Sequence, residues 1–485
     1  MSNTIRQLEP KVLWNHFADL NAVPRPSKKE ERVIQFVRSF GESLNLNTQV
    51  DRAGNVIIKK PASKGMEDRQ TIVLQSHLDM VHQKNADTVF DFDNQGIEMY
   101  IDSDWVKAKG TTLGADNGIG VAAIMSILSS NDISHPPIEA LFTIDEETGM
   151  TGAKGLVGGL LNGKTLLNLD TEEDNELTIG CAGGIDVTCT GTYKQESPVL
   201  SKSLQILIKG LTGGHSGMDI HKGRANANKL MNRLLWEFST KFSIRISSID
   251  GGSLRNAIPR ESVAVILCDD DNLRNVRNEV NTFASVVKKE YNYTDPGLNI
   301  EITDTALPGK VMSVEFQHKF LRSLYSCPNG IYRMTPDIEG LVQTSNNIAR
   351  VLVKDGNFSV QCLTRSSVDS EKTDLANAIT SAFELAGATI SYSGEYPGWQ
   401  PKPEAPIVKL MSGLYTEMYG EKANVDAVHA GLECGIIGGN YPDMQMISFG
   451  PNIYGAHSPD EKVQISSVQK FWNFLLGTLK RIPAN

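Results

Sequence analysis

The six cysteines, Cys181, Cys189, Cys268, Cys327, Cys362 and Cys434, never form a C-x-x-C pair. That spacing excludes a thiolate zinc knot, and nothing suggests a disulfide framework in a chain of 485 residues. No stretch approaches the roughly 20 apolar residues that span a bilayer. The opening MSNTIRQLEPKVLWNHFADL lacks the unbroken apolar core of a secretory signal. It reads instead as an amphipathic helix with Val12, Leu13, Phe17 and Leu20 as its apolar residues. Basic residues are the minority, 47 Lys+Arg against 57 Asp+Glu, for a formal net charge of -10. With no Lys/Arg run either, a nucleic-acid partner is not expected. These absences predict a soluble protein of a reducing, cytoplasmic compartment, with no membrane or nucleic acid among its partners.

Common catalytic signatures are missing too. There is no H-E-x-x-H helix, no G-x-S-x-G elbow and no dinucleotide-binding fingerprint. GGLLNGKT (158–165) matches the phosphate-loop pattern, but a helix-like segment precedes it and a strand follows. A phosphate cradle needs the reverse order, so that the amides of a helix N-terminus face the phosphates.

What is present is 40% apolar residues and enough length for more than one domain. From about residue 66 the chain alternates buried strands and helices, the pattern of an open α/β sheet. The strands are TIVLQS (71–76), IEALFTI (138–144), TLLNL (165–169) and, far downstream, MQMISFG (444–450). GIGVAAIMSILSS (118–130) is a helix between them, and ISSVQKFWNFLLGTLKRI closes the chain. Between about 190 and 393 the pattern becomes β-α-β-β-α, starting at LQILIKG, and it recurs from LNIEITD onward. The expected organisation is an α/β catalytic domain in two parts, 1–188 and 395–485. An inserted, internally duplicated α+β domain, 189–394, interrupts it, and the proline-rich EYPGWQPKPEAP (395–406) is the return junction.

The polar residues cluster where these strands end. TIVLQS runs into His77 and Asp79, IEALFTI into Glu146 and Glu147, and TLLNL into Asp170. MQMISFG is followed within a short loop by His457, and Asp116 in LGADNG stands just ahead of a helix. In an open parallel sheet, ligands bind beyond the carboxyl ends of the strands, so these distant residues can share one cleft. Two imidazoles and three carboxylates (His77, Asp116, Glu147, Asp170, His457) suit zinc, and also cobalt or manganese. Five ligands serve two ions only if a carboxylate bridges. Taken singly, each has an ordinary alternative: Asp116 as a helix N-cap, Glu146-Glu147 as solvated surface, His457 as a turn residue. GGHSGMD (213–219) likewise reads as a strand–helix turn, though its glycines permit His215 to project outward.

SHLDMV, LGADNG, IDEETGM, NLDTEE, GGHSGMDI, RNAIP, VHAGLECG and GAHSPDE together resemble the M20 family of metallopeptidases. The likeness spans nearly the whole chain, and SHLDMV, LGADNGIG and HAGLECG favour its dipeptidase branch over its deacylase branches. The resemblance implies a mixed-sheet zinc-peptidase fold with a lid, and two divalent ions, zinc foremost. His77 and Asp170 would hold one ion, Glu147 and His457 the other, with Asp116 bridging. Asp79 would orient the His77 ring, and Glu146 would be the general base. His215 would stabilise the oxyanion, in its own or a partner's site. Asn256 and a lid arginine would bind the substrate carboxylate, with Gly431 lining the cleft. The family's arginine follows the N-x-I-P strand, where this chain reads VILCD, so Arg365 in QCLTRSS is the candidate. A homodimer acting on small peptides is implied. The rivals are a deacylase or tripeptidase on the same scaffold, or a non-catalytic metal- or peptide-binding protein. Glu146 beside Glu147 argues against the last, which needs no base.

Overall fold

The computed structural model describes residues 2–485 and divides the chain into two compact units. The first comprises residues up to 180, 401–427 and 432–485; the second comprises 181–400 with 428–431.

The first unit is built on an eight-stranded mixed sheet. Its middle runs Val56–Lys60, Ile138–Thr143, Ile72–His77, Thr165–Asn168, Gln445–Ser448. Both faces of these strands are covered, which is why they read as continuous apolar runs rather than alternating ones. Ile72, Val73, Leu74, Ala140, Leu141, Phe142, Leu166 and Leu167 are all fully buried. Ile72–His77 pairs in parallel with both Ile138–Thr143 and Thr165–Asn168, and Gln445–Ser448 continues in the same sense. Four carboxyl ends therefore open on one edge. The helix Ala115–Ser129 is buried along nearly its whole length. Asp116 and Asn117 have non-helical dihedrals, so the regular helix begins at Gly118, where the apolar run starts.

The amino-terminal segment forms two helices rather than one, Ser2–Ile5 and Lys11–Asn21, and the second buries Leu13, Trp14, Phe17, Ala18, Leu20 and Asn21. Val12 departs from expectation and lies 39% exposed. At 100° per residue the buried stripe of 13, 14, 17, 20 and 21 leaves position 12 outside it.

The second unit carries a nine-stranded sheet with the order Asn299–Asp304, Lys202–Lys209, Ser262–Cys268, Arg245–Gly252, Val342–Lys354, Asn357–Ser366, Gly183–Thr192, Thr389–Tyr396, with Gly330–Met334 added on Val342–Lys354. The order is symmetric about the contact between Arg245–Gly252 and Val342–Lys354, as a duplication requires. The halves begin differently from the sequence expectation, however. LNIEITD pairs at the outer edge with Lys202–Lys209, while Gly183–Thr192 takes the equivalent place beside Asn357–Ser366. Sequence order hid this, because the second half opens before the first half and closes after it. All six cysteines are buried and unbridged. Among the described residues, no helix is long and apolar enough to cross a membrane.

Candidate active site

The parallel strands deliver their last residues in register. His77 lies opposite Thr143, so Asp145–Glu147 follow immediately beside it, and Asn168 leads two residues on to Asp170. His457 comes from a different device, the hairpin between Ile453–Tyr454 and Lys462–Gln464, where it adopts a left-handed backbone with φ of 65°. Asp116 opens the helix Ala115–Ser129, but its side chain caps nothing; Gly114 holds the cap position without a side-chain bond.

The carboxylate of Asp116 turns instead to two histidines. Oδ1 is 3.2 Å from Nε2 of His77, and Oδ2 is 3.2 Å from Nε2 of His457. His77 Nε2 also lies 3.4 Å from Oδ1 of Asp170, and His457 Nε2 is 2.9 Å from Oε2 of Glu147. Two groups of possible metal ligands result, His77–Asp116–Asp170 and Asp116–Glu147–His457, with Asp116 in both. A third acidic group, Glu30–Asp79–Asp145, is occupied by hydrogen bonds from its own surroundings.

Asp79 is fully buried. Nδ1 of His77 is 3.1 Å from its main-chain oxygen and 3.4 Å from its carboxylate. The same carboxylate accepts the amides of Glu146 at 3.0 Å and Glu147 at 3.3 Å, and the Ser27 hydroxyl at 2.8 Å. Asp79 thus ties the strand carrying His77 to the turn carrying both glutamates.

Charge is crowded here. Burial raises the carboxyls of Glu147 and Asp170, and lifts Glu146 well above its ordinary value. His457 is pushed up to about 11 by its hydrogen bonds to Asp116 and Glu147. His77 is raised as well: burial alone would lower it, but Asp170, Asp116 and Asp79 prevail. For Asp116, burial is outweighed by the hydrogen bonds from His457 and His77, which hold its carboxyl low. A proton on the His457 imidazole offsets part of the carboxylate charge at the atoms a cation would take. The donor set of imidazole nitrogens and carboxylate oxygens fits divalent zinc, cobalt or manganese. Oδ1 of Asp170, buried and without a hydrogen-bond partner, is the kind of orphaned acceptor that a bound ion satisfies.

The remaining candidates lie in the second unit. Gly213 and Gly214 both have positive φ, 66° and 133°, and turn the chain into His215. Nδ1 of His215 accepts the amides of Gly217 (3.1 Å) and Met218 (3.0 Å), so its proton sits on Nε2. Burial and Arg365 lower its pKa, leaving a neutral donor. Asn256 is exposed, and its carbonyl accepts the Ser216 amide at 2.7 Å. Arg365 is 5% exposed, bonded through Nη1 to the Tyr396 hydroxyl (2.9 Å) and through Nε to Ser216 Oγ (3.4 Å). Among the described residues it has no ion pair. Gly431 backs onto Tyr396: a Cβ there would lie 2.9 Å from the ring.

Several residues of these neighbourhoods escaped the sequence reading. Glu433, in HAGLECG, is buried and accepts from Gln75 (2.7 Å) and Thr143 (2.6 Å). Glu461 closes the GAHSPDE segment and binds the main chain ahead of Asp116. Both sit inside motifs in which only one residue had drawn attention. His429 shares the VHAGLECG segment with Glu433, whereas Tyr396 and Arg25 carry no sequence signal of their own.

Nitrogen and oxygen donors that could hold metal ions stand at the ends of the parallel strands, with half-buried Glu146 in the turn that carries Glu147. The chain belongs to peptidase family M20/M25/M40, whose model matches residues 73–481. It is 42% identical over 481 residues to the cytosol non-specific dipeptidase of Escherichia coli (strain K12), covering 99% of each chain. The crystal structure of aminoacylhistidine dipeptidase from Vibrio alginolyticus superposes with a TM-score of 0.95 at 43% identity, covering 100% of both chains. A tripeptidase from Staphylococcus aureus shares the fold at 16% identity, with a TM-score of 0.56 and coverage of 98% and 99%.

Proposed function

We propose that the chain is a cytoplasmic dipeptidase that hydrolyses dipeptides with a free amino terminus, with broad specificity that includes substrates ending in histidine. Its site holds two divalent ions, zinc foremost, with cobalt or manganese as alternatives. His77 and Asp170 would hold one, Glu147 and His457 the other, and Asp116 would serve both. The observation that carries this reading is the division of Asp116 between two ligand groups, one oxygen toward each. The whole-length likeness to two dipeptidases supports the substrate class.

When bound, the ions supply Lewis acidity to water and to the scissile carbonyl. Glu146 takes the proton from the attacking water and passes it to the leaving amine, a role its burial favours by raising its basicity. Asp79 holds the Glu146 main chain and the His77 ring in place. His215 donates its Nε2 proton to the developing oxyanion. Arg365, buried without a carboxylate partner, pairs with the substrate's terminal carboxylate, as does Asn256. Gly431 keeps the wall beside Tyr396 low enough for substrate. Residues 189–394 act as the lid and dimerisation domain of a homodimer.

The deciding experiment compares a free dipeptide, its N-acetylated form and a tripeptide after metal supplementation. Preference for the free dipeptide is expected. Faster cleavage of the acetylated form would make the chain a deacylase, and faster cleavage of the longer peptide a tripeptidase.

A further inference from the structure

Two buried charges outside the ligand set grip the main chain on which the ligands ride. Glu461 is 2% exposed, and its carboxylate faces four consecutive amides. Oε2 accepts from Leu113 (2.6 Å) and Gly114 (2.9 Å), and Oε1 from Ala115 (2.8 Å) and Asp116 (3.2 Å). Both oxygens are used, and the anion lies where the unpaired amides of a helix start attract one.

Arg25, 1% exposed, holds the same segment by its carbonyl side. Nη2 donates to the Gly114 carbonyl (2.5 Å) and to Asn21 Oδ1 (3.1 Å). Nη1 donates to the carbonyls of Leu78 (3.0 Å) and Asp79 (3.1 Å). Two glycines make room for it: a Cβ on Gly114 would lie 2.5 Å from Nη2, and one on Gly118 2.7 Å. A buried guanidinium beside so many carboxylates would be expected to pair with one. Here its hydrogen bonds go to three main-chain carbonyls and an amide oxygen, which leaves the acidic side chains for other partners.

The connectivity gives each charge a separate task. Arg25 ties the loop after His77 to the loop before Asp116, and so fixes the pair whose atoms lie 3.2 Å apart. Glu461 ends the turn of His457, its own amide bonded to the Ser458 carbonyl at 3.1 Å, and anchors that turn to the same loop. It fixes the second pair, Asp116 and His457. We propose that Arg25 and Glu461 are positioning residues, Arg25 setting the His77–Asp116 side and Glu461 the Asp116–His457 side, so that each governs occupancy of one metal position. Arg25 also lies outside the segment matched by the family model, which starts at residue 73.

This inference rests on the two-ion reading, and the test separates the two. Metal-depleted full-length protein is titrated with cobalt(II) against a competing chelator, followed by the visible absorption of the bound ion. Wild type is expected to bind two ions. Arg25→Lys keeps the charge but not the span across three carbonyls, and should weaken one binding step tenfold or more. Glu461→Gln keeps the shape but turns a donor toward the amides, and should weaken the other step by a similar factor. Gly118→Ala, which displaces the guanidinium while leaving Arg25 in the chain, should repeat the Arg25→Lys pattern more mildly and serves if Arg25→Lys does not fold. Both steps unchanged in the variants, or both weakened equally, would overturn the assignment. A wild type that binds fewer than two ions would overturn the two-ion reading, and this inference with it.

Discussion

The carboxylate of Asp79 accepts the main-chain amide of Glu146 at 3.0 Å, so the residue two places after His77 also holds the proposed base. Glu146 itself is pushed well above the usual carboxyl range by burial. It contributes no atom to either ligand group. Glu146→Ala is therefore expected to retain its metal while kcat falls by about 10²- to 10⁴-fold, the usual worth of a general base. Metal analysis and initial rates on one preparation check this, and a near-normal kcat refutes the role.

Asp116 belongs to both ligand groups, so its removal should act on both at once. Asp116→Ala should lose bound metal together with activity. Two ions per chain retained in the dialysed variant would contradict the bridge.

Metal uptake should depend on pH in a fixed direction. The hydrogen bonds His457 makes to Asp116 and Glu147 hold its pKa up to about 11, and Asp170 and Asp116 raise His77. The His457 ring is thus protonated in the metal-free protein at neutral pH, and an ion must displace that proton. Apparent affinity should rise with pH, by up to about tenfold per unit for each proton released. Chelator competition at two pH values measures it; a flat or falling affinity contradicts the ligand assignment.

His429 gives a second pH dependence, in stability. Burial, reinforced by Arg365, lowers its pKa from 6.5 to about 3, and Nε2 lies 2.7 Å from the Ser345 hydroxyl. Between those values the unfolded chain binds a proton that the folded chain refuses. Stability is therefore full above pH 6.5 and is lost as pH falls toward 3, by roughly 1.4 kcal/mol per unit at the steepest. Denaturant unfolding at pH 7 and pH 5 should show a smaller acid loss in His429→Gln than in wild type. Equal losses would remove His429 as the cause.

Arg365→Ala should lower kcat/KM for dipeptides by about 10- to 100-fold, the worth of one or two charged hydrogen bonds. Steady-state kinetics decide it: an unchanged kcat/KM takes the residue out of the clamp.

Much of the first unit was legible in the sequence because its strands are buried on both faces. TIVLQS, IEALFTI and TLLNL carry that burial as unbroken apolar runs, and the polar residues at their ends follow from the run itself. Asp116 was harder, since an aspartate before a helix looks like a cap; only the placement of His77 and His457 shows that it is not one. For the second unit, the alternation of strands and helices was legible. Its strand pairing was not, because Gly183–Thr192 and Asn299–Asp304 take places that chain order does not dictate. Arg25 and Glu461 were illegible for another reason. They act on main-chain amides and carbonyls, and such partners leave no mark on the identity of the residues they hold.

The most direct measurement is turnover of a free dipeptide as zinc is added back to metal-depleted protein, plotted against ions bound per chain. Activity is expected to climb until two ions are bound and then level off. A full rate reached at one ion per chain, or turnover that persists without metal, would contradict the bridged pair.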